Sequence, residues 1–151
     1  MQIEVDQSGK IEQTSLDTVI ALTNGVKYTL LFKKKDKREV EKYSREIGFK
    51  KLYPIIIFAN LVAMVIKNSK ATKAVLIDTE YHGHNNFIEK IIQSRLKAKC
   101  PKLRFGYVGK ESNSDTLARK VANKKVMPNL VINSKEVIKI SYGNKKKSGN
   151  I

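Results

Sequence analysis

The stretch Asp17–Phe32 reads DTVIALTNGVKYTLLF and places two apolar runs on either side of Asn24-Gly25. Asn-Gly is the strongest short-range signal for a two-residue hairpin turn, because both residues readily adopt positive φ angles. The run after the turn alternates apolar and other residues, which is the pattern of a half-buried strand. Met1–Asp6 alternates in the same way. The first third of the chain is therefore predicted to form three antiparallel strands.

Helical and extended patterns alternate after this hairpin. Leu52–Ile66 is apolar nearly all round, which is typical of a buried helix, and Pro54 fits its first turn. The charged segment Lys33–Lys51 before it could be a solvated helix or a long loop. Further strands and helices follow: Lys73–Thr79, Asn86–Ala98, Leu103–Val108, Asp115–Asn123, Pro128–Ile132 and Ser134–Ile140. The main order, βββαβαβα, predicts an α/β protein with a mixed sheet.

The composition fits one domain with a polyanionic partner. The chain has 151 residues, of which 41% are hydrophobic, and a formal net charge of +16. This size suits a single core over residues 1–143, and the basic tail, residues 144–151, is expected to be disordered. The single cysteine excludes a disulfide framework and a thiolate zinc site. The charge excess favours nucleic acid as the partner.

Positive charge is concentrated in Lys90–Lys125, which holds eleven basic and two acidic residues. Seven of the basic residues are expected to contact nucleic-acid phosphates: Lys97, Lys99, Lys102, Arg104, Lys110, Arg119 and Lys120. A thermally adapted surface would also be rich in lysine, and lysines can serve only to keep a partner-binding protein soluble. Tyr81 and Tyr107 could stack on bases, but packing in the core is the preferred interpretation.

Three aspartates lie at the ends of predicted elements. Asp6 ends the first strand, Asp78 ends the fourth, and Asp115 begins the helix after the fifth. If the fourth strand packs parallel beside the first, their carboxyl ends meet at the switch point of the sheet, where sites usually lie. Carboxylates brought together there raise one another's pKa, and a hard divalent cation relieves their repulsion. The pattern predicts a Mg²⁺ or Mn²⁺ site on these three residues.

Each of these side chains also has a structural explanation. Asp6 precedes a Ser-Gly turn and could cap its backbone amides, and Asp115 is favoured near a helix N-terminus. Asp78 is harder to explain in this way, because a charge at a buried strand end needs a partner or an ion. His82 and His84 could add a general acid or a ligand, but their spacing matches no recognised site and favours a solvated turn.

Three segments carry a resemblance to a known family. Met1–Gly9, MQIEVDQSG, resembles the first strand of the ribonuclease H-like superfamily, in which an Asp precedes a turn of small residues. Val75–Tyr81, VLIDTEY, resembles its fourth strand, which ends in an Asp followed by a small polar residue. Asn113–Ala122, NSDTLARKVA, resembles its last segment, in which an Asp stands just ahead of a Leu-Ala pair on a helix. The resemblance covers roughly Met1–Lys125.

The superfamily includes ribonucleases H, Holliday-junction resolvases and integrase cores. The resemblance implies a five-stranded sheet in the order 3-2-1-4-5 with helices on both faces, and metal-binding, catalytic roles for Asp6, Asp78 and Asp115. Ribonucleases H carry a further Glu on the first long helix, where this chain has only Asn60 as a strongly polar residue. Glu80 lies two residues beyond Asp78 and could replace it or add to the metal ligands.

The expected function is therefore that of a nuclease that cleaves RNA–DNA hybrid or structured DNA with two metal ions. The alternative is a non-catalytic nucleic-acid-binding module of the same fold, as in some small basic ribosomal proteins. A homodimer is possible, since a junction resolvase needs two symmetric sites. The start of the chain does not resemble an export signal, and Leu52–Ile66 is too short to span a bilayer, so a soluble cytoplasmic protein is expected.

Overall fold

The computed structural model describes residues 2–109 and 112–143. Lys110 and the tail 144–151 lie outside these residues, as does Met1. The elements follow one another as strands β1 (Ile3–Ser8), β2 (Thr18–Thr23) and β3 (Tyr28–Phe32), helices α1 (Lys34–Glu46) and α2 (Tyr53–Ser69), strand β4 (Val75–Asp78), helix α3 (Asn85–Leu96), a 3-10 turn (Lys97–Lys99), strand β5 (Leu103–Gly106), helix α4 (Asn113–Ala122), strand β6 (Leu130–Ile132) and helix α5 (Ser134–Tyr142).

The six strands form one mixed sheet in the order β5-β4-β1-β2-β3-β6. β1 and β3 are antiparallel to β2, whereas β4 lies parallel to β1, and β5 parallel to β4. The predicted α/β class is confirmed, but the expected five-stranded 3-2-1-4-5 sheet is wrong. A sixth strand extends the edge, because Leu130–Ile132 pairs parallel with β3. Three residues are too few to show a strand period, so the sequence indicated only an isolated extended piece.

The two faces of the sheet carry different numbers of helices. The face with Val5, Leu22 and Ile77 forms the main core with α1, α2, α3 and α5. On the other face, α4 packs Ala118 and Val121 against β2. This face also carries Asp6 and Asp78, since side chains alternate along a strand. The main core thus lies on the face covered by four helices, whereas the acidic residues lie on the face against which α4 packs.

The two helices after β3 differ in their surroundings. Of the two alternatives for Lys33–Lys51, a helix or a long loop, the helix is correct for the residues of α1. This helix is amphipathic and buries Val40 and Ser44. α2 is buried over most of its length, as its apolar sequence predicts. Among the helices in the described part of the chain, none combines the length and the apolar character needed to cross a membrane.

Lys37 of α1 is a buried lysine that holds the loop between β1 and β2. Its Nζ donates to the backbone carbonyls of Lys10, Gln13 and Leu16 at 2.9, 2.7 and 2.6 Å. Burial lowers the pKa of Lys37 to about 8, so the ammonium group stays charged at neutral pH. Three donors on one flexible stem match three carbonyls that converge on one point, which orders the loop at the carboxyl end of β1.

Replacing Lys37 with methionine keeps the apolar stem but removes these three hydrogen bonds. We expect Lys37→Met to lower the free energy of unfolding by about 2–4 kcal/mol, because three backbone carbonyls lose their charged hydrogen-bond donor. Urea denaturation checks this. Lys35→Met, at an exposed position of the same helix, is the matched control and should change stability by less than about 0.5 kcal/mol. Equal losses in both variants would contradict a clamping role for Lys37.

Candidate metal centre

The register of β1 and β4 places Asp6 beside Asp78. Val5 is the Cα partner of Ile77 in this parallel pair, and each aspartate is the next residue along its strand. Asp78 is in turn the partner of Gly106 in β5. Asp6, Asp78 and Gly106 therefore form one row across three neighbouring parallel strands, at the ends of β4 and β5 and two residues before the end of β1.

Glu80 joins the two aspartates although the strand ends before it. Carboxylate oxygens of Asp6, Asp78 and Glu80 all lie within 4.8 Å of one another. Two residues after a strand position, the side chain returns to the same face, which explains why Glu80 follows Asp78 toward the cluster. The sequence raised Glu80 as an additional ligand, and the structure brings it into the group.

Tyr81 fixes the segment that carries Glu80. Its hydroxyl accepts a hydrogen bond from the backbone N–H of Ile11 at 3.2 Å and donates to Glu12 at 3.1 Å. Its ring packs on Phe58 of α2 with centroids 5.3 Å apart. The loop that Lys37 orders is thus joined to the residue next to Glu80. Tyr81 is a core residue, in agreement with the preferred interpretation of the sequence.

Asp6 is the most buried of the three acids, with 6% of its surface exposed. Burial, together with the negative charges of Asp78 and Asp115, raises the pKa of Asp6 to about 7, against a lowering by the 2.8 Å hydrogen bond from the Gln7 N–H. The site therefore contains a carboxyl group that is only partly ionised at neutral pH. A positive charge in the cluster would reverse this shift.

The pKa of Glu80 is raised even more strongly than that of Asp6. Burial and the hydrogen bonds to Asp78 and Asp6 raise the pKa of Glu80 to about 9, and the charges of both neighbours act in the same direction. At neutral pH its proton is shared with the acceptor oxygens of the two aspartates. In the absence of a cation, protons thus relieve the repulsion among the three groups.

Asp78 also ties its strand to the end of β5. Its Oδ1 accepts a hydrogen bond from the Val108 N–H at 2.8 Å, and the Thr79 N–H donates to the Gly106 carbonyl at 2.9 Å. Between these contacts Tyr107 projects outward with 79% of its surface exposed. The expectation that Tyr107 packs in the core is wrong, because Tyr107 follows the end of β5 at Gly106 and is exposed.

Asp115 lies outside the group of three but acts on it. It stands in the first turn of α4, where its N–H is capped by the Ser112 hydroxyl. Its carboxylate pairs with Arg119 one turn later, with Oδ2 at 3.0 Å from a guanidinium nitrogen. Its charge contributes to the raised pKa of Asp6. Among the sequence-predicted ligands, Asp115 is therefore a neighbour of the cluster and is held by a salt bridge.

The donor set fits a hard divalent cation. Opposite ligands of an octahedral Mg²⁺ lie about 4.2 Å apart, and the three carboxylates already lie within 4.8 Å. All the donors are oxygens, which Mg²⁺ and Mn²⁺ prefer. His82 and His84, in and after the turn that follows Glu80, are not part of this ligand group in the described residues. Asp6, Asp78 and Glu80 are the residues that would hold the ion.

In the described part of the chain, the basic residues expected to bind nucleic acid lie in three places. Arg104 is exposed on the acidic face, in register with Leu76 of β4, and Arg119 pairs with Asp115 on the same side of the sheet. The residues Lys97, Lys99 and Lys102 precede β5, at the end of the strand away from Gly106. Lys120 lies on α4 and lines a cavity against the β2–β3 hairpin.

Asn60, the polar residue on α2, faces away from the acids. Its side-chain amide donates to the Ile56 carbonyl at 2.8 Å, and its Oδ1 accepts from Arg95 of α3 at 2.7 Å. It thus belongs to the helical side of the sheet.

Comparison of the chain with protein-family models, with curated proteins and with solved structures gives no match. The functional argument therefore depends on the geometry of the site.

The raised pKa values predict a stability that depends on pH when metal is absent. The folded chain holds protons on Asp6 and Glu80 that the unfolded chain releases near pH 4, so the free energy of unfolding falls as pH rises from about 4 to about 9. Glu80→Gln keeps a hydrogen-bond donor and should flatten the upper part of this decline. Urea denaturation in EDTA at several pH values measures it, with the exposed Glu136→Gln as control. An unchanged slope in Glu80→Gln would contradict the shared proton.

Proposed function

We propose that the protein is a divalent-metal-dependent nuclease of the ribonuclease H-like type, which hydrolyses phosphodiester bonds in nucleic acid. The observation that carries this proposal is the convergence of Asp6, Asp78 and Glu80 in the carboxyl-terminal half of two adjacent parallel strands and just beyond it. A domain that only binds polyanions gains nothing from buried acids, which repel phosphate. A net charge of +16 on the same chain supports a polyanionic substrate.

The ligand geometry supports particular roles for the acidic residues. Asp6 would be the central ligand, because it belongs to the group of three and also interacts electrostatically with Asp115. Asp78 and Glu80 would complete the nearer set, and Asp115, whose charge acts on Asp6, would contribute to a second ion. When bound, Mg²⁺ or Mn²⁺ supplies charge neutralisation at the scissile phosphate and lowers the pKa of the attacking water. The surrounding backbone contacts keep the carboxylates in place for this chemistry.

The substrate approaches over the half of the acidic face that β4 and β5 form. α4 packs against β1, β2 and β3, whereas Leu76 is only half-buried and Arg104 is exposed. Gly106, next to Asp78, leaves this surface without a side chain, and glycine within a strand is typical of close backbone approach by a ligand. Arg104 is two residues from Gly106, and its guanidinium group would bind a phosphate adjacent to the scissile one.

Cleavage of labelled substrates is the direct test. We expect the wild-type protein to cut at least one of RNA–DNA hybrid, four-way junction, duplex or single-stranded DNA with Mg²⁺ or Mn²⁺. Asp78→Asn should lower the rate by about 100-fold or more, because it removes a ligand charge from the cluster. Glu136→Gln, an exposed acid on α5, should cut at the wild-type rate.

A binding measurement with the same nucleic acids distinguishes a nuclease from a protein that only binds them. If the wild-type protein binds these substrates in a salt-sensitive manner but cuts none of them, the nuclease proposal is wrong and the chain is a binding module. Thermal unfolding of Asp78→Asn in EDTA verifies that a loss of cleavage does not come from a loss of fold.

The proposed substrate path makes Arg104 important for affinity. Arg104→Gln should weaken binding of every nucleic acid that the protein recognises and lower the slope of log K against log salt by about 1. Fluorescence anisotropy at several salt concentrations measures both quantities. Lys139→Gln removes the same charge from an exposed position of α5, which packs with α1 and α2 on the opposite side of the sheet. Equal effects of the two variants would place the substrate elsewhere.

A further inference from the structure

Tyr107 is a large aromatic residue on the surface beside the acidic cluster. It follows β5 directly, and 79% of its surface is exposed. The sequence allowed two interpretations of this side chain, packing in the core and stacking on a base, and its exposure excludes the first. Neither the binding of an ion nor the phosphate contact assigned to Arg104 uses this ring. Most of the residue is thus accessible from solvent, next to the proposed reaction site.

Hydrogen bonds on both sides of Tyr107 attach its backbone to the segment that carries Asp78. The Gly106 carbonyl accepts from the Thr79 N–H at 2.9 Å, and the Val108 N–H donates to Asp78 Oδ1 at 2.8 Å. The Val108 nitrogen belongs to the peptide group that begins at the Tyr107 carbonyl carbon, and the Val108 side chain is buried. The aromatic side chain therefore projects from a backbone that is held within one peptide group of an Asp78 carboxylate oxygen.

The residues on either side of Tyr107 leave room for a ligand at the ring. Gly106 and Gly109 place no side chain over it. The ring carbon Cε2 lies 3.5 Å from the point that a Cβ of Gly109 would occupy, so the backbone at Gly109 supports one edge of the ring. Glycine near a strand end is typical of close approach by a ligand.

Positive charge and aromatic surface occur together on this edge of the sheet. Arg104 is exposed on β5, three residues before Tyr107. The two Cα atoms are therefore at most about 11 Å apart, a distance that about three stacked nucleotides cover. Proteins that bind single strands combine basic groups along the phosphate backbone with aromatic side chains on which bases stack. Arg104 and Tyr107 are thus placed to contact the two parts of a strand, its phosphates and its bases.

An unpaired nucleotide is the ligand that this arrangement favours. Inside a duplex both faces of a base are covered by its neighbours, so a protein ring reaches a base face only where the nucleotide is single-stranded or displaced from the stack. Stacking on an aromatic ring tolerates any base, because every base has a π-face. The exposed ring therefore indicates a preference for unpaired strands and not for a particular sequence.

We propose that Tyr107 stacks on an unpaired base next to the scissile phosphate, and that the substrate of the acidic site is single-stranded nucleic acid or an unpaired segment within a larger one. The position next to the scissile phosphate rests on the proposed nuclease function. The stacking contact depends only on the ring and its basic surroundings, so binding measurements test it separately from cleavage.

The first test is the affinity for a short single-stranded DNA, measured by fluorescence anisotropy in Mg²⁺. All the proteins carry Asp78→Asn, which keeps an oxygen for the Val108 N–H and protects the strand from cleavage. Adding Tyr107→Ala should weaken binding about tenfold, because one base–aromatic contact is lost, whereas Tyr107→Phe keeps the ring and should bind as tightly as its parent. The affinity for a duplex of the same sequence should be nearly unchanged in both variants.

Met127→Ala is the matched control. Met127 has 86% of its surface exposed and precedes β6, at the opposite edge of the sheet from β5. This variant should bind the single strand like its parent. Equal losses in Met127→Ala and Tyr107→Ala would overturn the proposal. A loss in Tyr107→Phe as large as that in Tyr107→Ala would assign the effect to the hydroxyl and would also contradict stacking.

A tryptophan reports the contact itself. The chain contains no tryptophan, so Tyr107→Trp introduces a single indole fluorophore. Stacking should quench its emission in a saturable manner when the single strand is added. An abasic strand of equal length carries the same phosphates without bases and should not quench it. Equal changes in emission with the two strands would show that no base meets the ring.

The cleavage assay, with Asp78 intact, distinguishes failure of this proposal from failure of the nuclease function. If the protein cuts single strands faster than duplex and Tyr107→Ala removes this preference, both proposals are supported. If the ring binds unpaired bases but no substrate is cut, the nuclease function is wrong and the stacking contact stands. If the protein cuts nucleic acid and Tyr107→Ala binds and cuts every substrate as the wild type does, the nuclease function stands and the stacking proposal is wrong.

Discussion

The parallel pairing of β1 with β4 is the interaction on which the site depends. Val5 and Ile77 are fully buried partners in this pair and face the helical core. A slip of one residue in either strand would turn an apolar set toward the open face and a polar set toward the core, so the register is strongly specified. Asp6 and Asp78, each one residue further on, are therefore forced side by side on the opposite face. The core sets the geometry of the acids.

Bringing these carboxyl groups together is electrostatically unfavourable, and contacts in the surrounding structure hold them in place. Asp6 and Glu80 retain protons in the absence of a cation, because burial and the neighbouring negative charges raise the pKa of both groups. Their positions are maintained from outside the cluster. Lys37 orders the loop after β1, and the loop contacts Tyr81 beside Glu80. The segment that carries the most perturbed acid is thus attached to the core through a tyrosine and a buried lysine.

Much of this arrangement can be read from the sequence, for identifiable reasons. Asn24-Gly25 marks the hairpin because both residues readily adopt positive φ, although the connection between β2 and β3 is the four-residue segment 24–27 and not a two-residue turn. The short apolar run before Asp78 is typical of a buried strand. β6 was not recognised as part of the sheet, since three residues have no period and its partner is distant along the chain. The exposure of Tyr107 and the clamp made by Lys37 were also missed. The exposure of Tyr107 depends on the path of the backbone after β5, and the Lys37 contacts depend on the path of the loop after β1. Local composition carries no signal for either path.

α4 divides the acidic face of the sheet into two regions of opposite character. One flank adjoins the carboxylates of Asp6, Asp78 and Glu80, and the other carries the exposed side chain of Lys120. A phosphate chain near the first flank would meet unfavourable potential unless a cation neutralised the cluster. The position of a nucleic acid over Asp6 and Asp78 would therefore be governed by the ion.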